Sequence, residues 1–319
     1  MKPLSSEQIA SFKDAGFLVL KGMLDPGLCE QALDRLWAAL PAKSRMRRDD
    51  ARTHIGPFPA DEESRNPLHI RAGYLWQFRE CGTEPLLIKL AYGHNVLAVA
   101  EQLLGEGMVA QPTVGGSPMG SEGPAWPGGP TDPAITDGIR GIYCTRPYAD
   151  EDRASVRDRC HTDGHPFHLG LVGLLADVPP NGGAFKVWPG SHRRLYPTFQ
   201  MQYDQPRIPY YHRLPSHKGI VHTPAYLAEL ERVMADTEPV DCWGERGDIV
   251  LWHHRLAHMA GHNTSGVMRQ AVLCDFSRTD LDTCRMDPPQ ENMWRDWSPE
   301  LQAAECSYSP DFATTMRLR

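Results

Sequence analysis

Residues 247–276, GDIVLWHHRLAHMAGHNTSGVMRQAVLCDF, decide how this chain is read. Two short apolar runs, GDIVLWHH and RQAVLCDF, flank a polar join that carries glycines 261 and 266, the pattern of two strands with a loop between them. Upstream lie more runs of the same kind: RGIYCTR from Arg140, HLGLVGLLADV from His168 and GAFKVW from Gly183. Turn signals such as PPNGG and PGSH punctuate them. Many short strands with turns between them predict a β-sandwich or barrel over residues 140–280.

The N-terminal third has a different texture. Ser5 or Ser6 precedes EQIASFKDAG, which fits a short capped helix ending on Gly16, and FLVLKGML then reads as a strand. Asp25-Pro26 supplies an N-cap and a first-turn proline for a helix to about Leu40. PLLIKLAYGHNVLAVAEQLLG, ending at Gly105, is another long helical candidate, so residues 1–104 are expected to be mostly helical.

Residues 105–139 are so dense in glycine and proline that neither a regular helix nor a long strand persists, and a loop that long suits a lid, with Trp126 as its large aromatic. A second long stretch, 196–240, contains one helix, Pro224 to Met234, led by Thr223. Residues 281–319 form a C-terminal extension. The 319 residues are expected to fold as one domain.

A net charge of −7 argues against a nucleic-acid or anionic-membrane partner and leaves a small molecule as the expected one. The first thirty residues show no basic cap followed by a long apolar run, so a cytoplasmic protein is expected. Eight cysteines lie scattered without a CxxC pair, which disfavours a zinc knuckle, an iron–sulfur site or a disulfide scaffold.

Chemistry enters with His161-Thr162-Asp163. Alternate residues of a strand share a side, so an imidazole and a carboxylate two apart can reach one metal ion. An HxD triplet alone is weak evidence in a chain with fourteen histidines. His258 gives it a partner: a sandwich folded on itself brings that strand beside His161 and closes a two-histidine, one-carboxylate face with open positions, which suits iron(II). His253, His254 and His262 compete for this role. His258 is preferred because it sits beside the small Ala260 and Gly261, and surface or supporting hydrogen-bonding roles are expected for His253 and His262.

Eleven positions on, Arg269 opens an apolar strand. A guanidinium there requires a carboxylate partner if it is buried, and a ligand carboxylate held by a bidentate pair would serve. On the strand leading to the metal segment, Arg140, Ile142 and Cys144 share one face and Gly141, Tyr143 and Thr145 the other, and the Arg140 face is expected to line the pocket. Arg140 and Cys144 thus join Arg269 as candidate cofactor-binding residues.

With these elements in order, the chain resembles the phytanoyl-CoA dioxygenase-like family of iron(II)/2-oxoglutarate oxygenases. SSEQIASFKDAGFLVLKGMLDP, HTDGHPFHLG, VPPNGGAFKVWPGSHRRLYP and the 247–276 stretch carry the resemblance. It implies an α+β, mainly β fold: a double-stranded β-helix, or jelly roll, flanked by N-terminal helices. It also implies iron(II) held by His161, Asp163 and His258, 2-oxoglutarate anchored by Arg269, and dioxygen as the oxidant. Asp163 stands where related halogenating enzymes have a small residue, which favours hydroxylation or desaturation. Some relatives place a hydroxyl residue two positions after the distal histidine, where this chain has Ala260.

The family name does not fix the substrate. The 105–137 stretch is nearly devoid of lysine and arginine, which argues against a CoA thioester. Arg140, Arg146, His165, His168, Tyr210, Tyr211 and His212 are candidate mouth residues suited to a polar or anionic metabolite. Two other readings use the same three residues: a zinc or manganese hydrolase, and a non-catalytic, metal-stabilised jelly roll.

Overall fold

The computed structural model describes residues 4–66, 68–110, 139–155, 157–158, 160–163, 167–202, 219–221, 223–280 and 291–305. Local sequence sets the first elements. Ser5 accepts from the Gln8 amide while the Gln8 side chain accepts from the Ser5 amide, a capping box that starts α1 (Ser6–Ala15), and Gly16 ends it at φ 82°. Strand β1 (Phe17–Leu20) follows, and Asp25 caps α2 (Pro26–Ala38) by accepting from the Leu28 amide at 2.8 Å. Such a cap contributes about 1 kcal/mol.

The long helical candidate after Glu84 is two helices. Helix α3 (Pro85–Ala91) closes at Tyr92, Gly93 takes an extended ψ of 147°, and α4 (His94–Leu104) starts afresh. The N-terminal third also holds three strands that the sequence reading did not anticipate: β2 (Ser64–Asn66), β3 (His69–Ala72) and β4 (Leu75–Phe78).

The remaining strands are β5 (Ile139–Thr145), β6 (Leu169–Leu174), β7 (Phe185–Val187), β8 (Gln200–Gln202), β9 (Gly219–Val221), β10 (Val240–Cys242), β11 (Ile249–His253), β12 (His258–Ala260) and β13 (Arg269–Phe276). Eight form one antiparallel sheet in the order β1-β11-β6-β13-β5-β4-β3-β2, three form a second in the order β10-β7-β12, and β8 pairs with β9. Helix α5 (Ser191–Leu195) and α6 (Pro224–Asp236) lie between β7 and β10 in the chain; α6 begins at the Thr223 cap as expected and runs two residues past Met234. A short helix, α7 (Pro299–Ala303), lies near the end of the chain.

Three apolar layers result. Ile142, Cys144, Leu171, Leu251, Val272 and Phe276 of the large sheet pack with Phe12, Leu36, Leu90 and Leu103 of the helices. Val172, Leu174, Val250, Trp252 and Ala271 face Phe185, Val187 and Val240 across the space between the sheets. Trp188 and Met259, on the outer side of the small sheet, pack with Leu195 of α5 and Tyr226, Leu230 and Val233 of α6. Two antiparallel sheets facing each other over a shared core are the double-stranded β-helix. Trp252 lies over Gly170, where an added Cβ would stand 2.1 Å from the indole, so the packing of β11 on β6 needs a glycine. No helix among the described residues is long and apolar enough to cross a membrane.

Candidate metal centre

His161 and His258 meet backbone to backbone. The His161 amide donates to the His258 carbonyl at 3.0 Å and the reverse bond is 2.9 Å, which extends the edge of the small sheet beyond β12. The two rings then lie 4.7 Å apart, and Asp163 Oδ2 stands 3.6 Å from His258 Nε2. One ligand atom from each of His161, Asp163 and His258 falls within 4.8 Å of the others, and among the described residues no other such group is found.

The state of His258 suits a ligand. Burial pushes its pKa down to about 4, only partly opposed by the Asp163 carboxylate, so the ring is neutral near pH 7. Its Nδ1–H donates to the Leu256 carbonyl at 2.9 Å, which leaves the Nε2 lone pair facing Asp163. Phe185 and Trp252, 5.1 and 5.7 Å from the ring, wall the site on the core side.

Thr162 faces the opposite way. Its amide and hydroxyl each donate to Tyr226 Oη at 3.0 Å, and Arg255 donates to its Oγ1 and, at 3.3 Å, to the Asp163 carbonyl. Arg255 is buried and lies over the Phe199 and Tyr226 rings. The stretch expected to be mainly loop therefore contributes, through α6, to holding the HTD segment. Nothing in the sequence spacing signalled this contact.

The other histidines go elsewhere. A turn closed by the Leu256 amide on the His253 carbonyl follows β11. His253 is buried, stacks on Trp297 at 5.1 Å and accepts from the Arg255 amide, so its role is supporting rather than at the surface. His254 is half-buried against His253 and Phe167. His262 pairs with Asp158 at 2.8 Å.

Arg269 is buried at the start of β13, registered opposite Thr145 of β5. Its Nε has no hydrogen-bond partner, no carboxylate among the described residues pairs with it, and burial pushes its pKa down to about 10. The Thr145 hydroxyl, also buried, has no partner among the described residues either. A guanidinium and a hydroxyl left unmatched side by side are costly in the protein alone and fit a bound carboxylate. Thr145 was not singled out in the sequence, because it stood on the face not expected to line the pocket.

That facing needs correction. Arg140 does point into the interior, where it donates to Asp163 at 2.8 Å and to Asp275 at 2.5 and 2.8 Å. Ile142 and Cys144 do not share its side; they lie in the core beneath the helices, and burial pushes the Cys144 thiol well up. The cause is a register shift between β13 and β5 at Leu273/Cys274, which breaks the alternation. Two expected mouth residues are structural: Arg146 donates to the carbonyls of Thr53, His54 and Ile55, and buried His168 accepts from the Arg278 amide. Trp126, His165, Tyr210, Tyr211, His212 and all but the first residues of the lid stretch lie outside the described residues.

A double-stranded β-helix with a two-histidine, one-carboxylate cluster between its sheets defines a metal-dependent oxygenase class. The chain belongs to the family Phytanoyl-CoA dioxygenase (PhyH), whose sequence profile matches residues 12–271. It is accordingly a non-haem iron dioxygenase whose cofactor and cosubstrate are Fe(II) and 2-oxoglutarate, as the chain's resemblance implied. No curated protein sequence matches it. Among solved structures it is similar to the non-heme alpha ketoglutarate dependent carbocyclase SnoK from nogalamycin biosynthesis, at TM-score 0.50 and 16% identity over 91% of this chain and 95% of that one. EctD from S. alaskensis with bound Fe is similar at TM-score 0.50 and 16% identity over 87% and 78% of the two chains. At these identities the likeness is one of fold.

Proposed function

We propose that the protein hydroxylates an unactivated C–H bond of a small polar metabolite, with iron(II) on His161, Asp163 and His258. In the overall change, R–H, 2-oxoglutarate and O2 become R–OH, succinate and CO2. The observation that carries this reading is the convergence of those three side chains within 4.8 Å, with His258 held neutral and its Nε2 lone pair directed at Asp163. Two imidazole nitrogens and a carboxylate oxygen suit iron(II) with open positions. Iron and 2-oxoglutarate, when bound, supply the oxidising power; the protein's residues supply placement and dryness.

Arg269 and Thr145 would take the remote carboxylate of 2-oxoglutarate. The support is that both are buried, registered opposite one another and, among the described residues, unmatched. Thr145, from the neighbouring strand, provides a hydroxyl where Ala260 has none. Phe185 and Trp252 keep water from the His258 side, which favours productive oxidation over side reactions. The scarcity of basic residues in 105–137 supports a small metabolite over a CoA thioester. Family membership weighs against the hydrolase and non-catalytic readings.

The test is a metabolite screen that reads succinate formation above the rate seen without added compound. A polar compound that accelerates succinate formation and gains one oxygen supports the proposal. Stimulation confined to acyl-CoA thioesters, or hydrolysis of a compound without succinate, would contradict it.

A further inference from the structure

Strand alternation would send Arg140 to the helix side with Ile142 and Cys144. Instead, Leu273 faces Gly141 and Cys274 faces Ile139, so Arg140 is the extra residue of a bulge. Gly141 takes φ +104°, and an added Cβ there would stand 2.2 Å from the Phe78 carbonyl oxygen, so only glycine fits. The outcome is one guanidinium re-aimed between two carboxylates, those of Asp163 and the fully buried Asp275. A buried ion cluster of this kind is not what a core needs, since apolar residues of equal volume hold a fold together as well or better. Its position beside one of three candidate ligands gives it another purpose.

We infer that Arg140 and Asp275 are positioning residues for the metal site, an inference that rests on Asp163 being an iron ligand. Arg140 donates to the Asp163 carboxylate and fixes its orientation. A cation beside a site for a dication would repel it, and Asp275 cancels that charge through two hydrogen bonds to the same guanidinium. The pair therefore orients the ligand without opposing the metal. The phenyl ring of Phe167, 5.5 Å from the guanidinium carbon, covers the group.

The roles separate in an anaerobic iron(II) titration against a competing chromogenic chelator, with the melting of each metal-free variant recorded alongside. Asp275→Asn removes one of the two carboxylates on Arg140, so that Asp163 must balance the guanidinium as well as meet the metal, and is expected to weaken iron(II) binding by about 10- to 100-fold, the range for lost partners of metal ligands. Adding Arg140→Gln to it removes the cation that competes with the metal for Asp163 and recovers part of that loss. A purely structural role would make the double variant no better than the single. Arg140→Lys, which keeps the charge but loses the planar fork, covers the case in which Asp275→Asn does not fold; it is expected to shift the visible band of the iron–2-oxoglutarate complex. Parental affinity in Asp275→Asn, a double variant no better than the single, or an unshifted Arg140→Lys band overturns the inference. A parent protein that gives no band at all instead overturns the iron reading on which it rests.

Discussion

The phenol oxygen of Tyr226 stands 3.0 Å from both the amide nitrogen and the hydroxyl of Thr162, the residue between His161 and Asp163. Because neighbours along an extended chain face opposite ways, the side that does not meet the metal is free to be clamped. Helix α6 thus fastens the ligand segment from behind, with Arg255 beside it.

Tyr226→Phe keeps the ring and removes that acceptor. The buried Thr162 amide is left without its partner, which costs about 1–3 kcal/mol. Urea unfolding of the metal-free protein should show this loss, and iron should dissociate faster from the variant. Parental values for both would mean that the Tyr226 contact supports nothing.

Arg269→Met removes a buried charge that has no carboxylate partner among the described residues. The metal-free variant should therefore melt no lower than the parent. With 2-oxoglutarate at a hundred times its Kd, the parent gains about 2.7 kcal/mol by mass action, and the variant should lose most of that gain. Arg269→Lys should lose part of it, because the planar fork is gone, and Thr145→Val should also bind 2-oxoglutarate more weakly. Unchanged stabilisation in Arg269→Met would transfer the anchor role to another residue.

Much of this site was legible beforehand, and the reasons are local. The Ser5 box, the Asp25 and Thr223 caps and the alternating apolar strands are written in neighbouring residues, so α1, α2, α6 and the central strands follow from them. The HTD spacing and the choice of His258 lead to the cluster of His161, Asp163 and His258. Strands β2 to β4 were hidden because SRN, HIRA and LWQF are three or four residues long, lie towards one edge of the sheet and are mostly half-buried or exposed rather than cleanly alternating between core and solvent. Tyr92-Gly93 broke a helix that the apolar period alone would have carried through. The facing of Arg140 depends on a bulge between β5 and a strand more than a hundred residues away, and Gly141 was its one trace in the sequence.

Gly141→Ala should destabilise the fold by more than about 1 kcal/mol, since it combines a strained φ with a backbone clash. It should also weaken iron binding by freeing Arg140 from its place. Thermal melting and the chelator titration read the two effects separately. A variant as stable as the parent would show that the bulge relaxes without cost.

Acid should destabilise the metal-free protein through buried histidines. Burial lowers His168 and His258 from their ordinary 6.5 to about 4, and His192 to about 3. Each binds its proton more readily once unfolded, so the stability it lends is complete above about pH 6.5 and is lost as pH falls towards 4. Urea midpoints should be flat above pH 7 and drop steeply below 6.5. A midpoint unchanged down to pH 4.5 would mean that these rings are accessible to protons in the folded state.

His161, Asp163 and His258 together are expected to hold iron(II) in a form that 2-oxoglutarate can chelate. Anaerobic addition of iron(II) and then 2-oxoglutarate tests it most directly, with the visible charge-transfer band as the signal. The parent and His254→Ala should develop the band, while His161→Ala, Asp163→Ala and His258→Ala, with their folds intact by circular dichroism, should not. No band in the parent, or a band that survives in His258→Ala and vanishes in His254→Ala, would contradict the account.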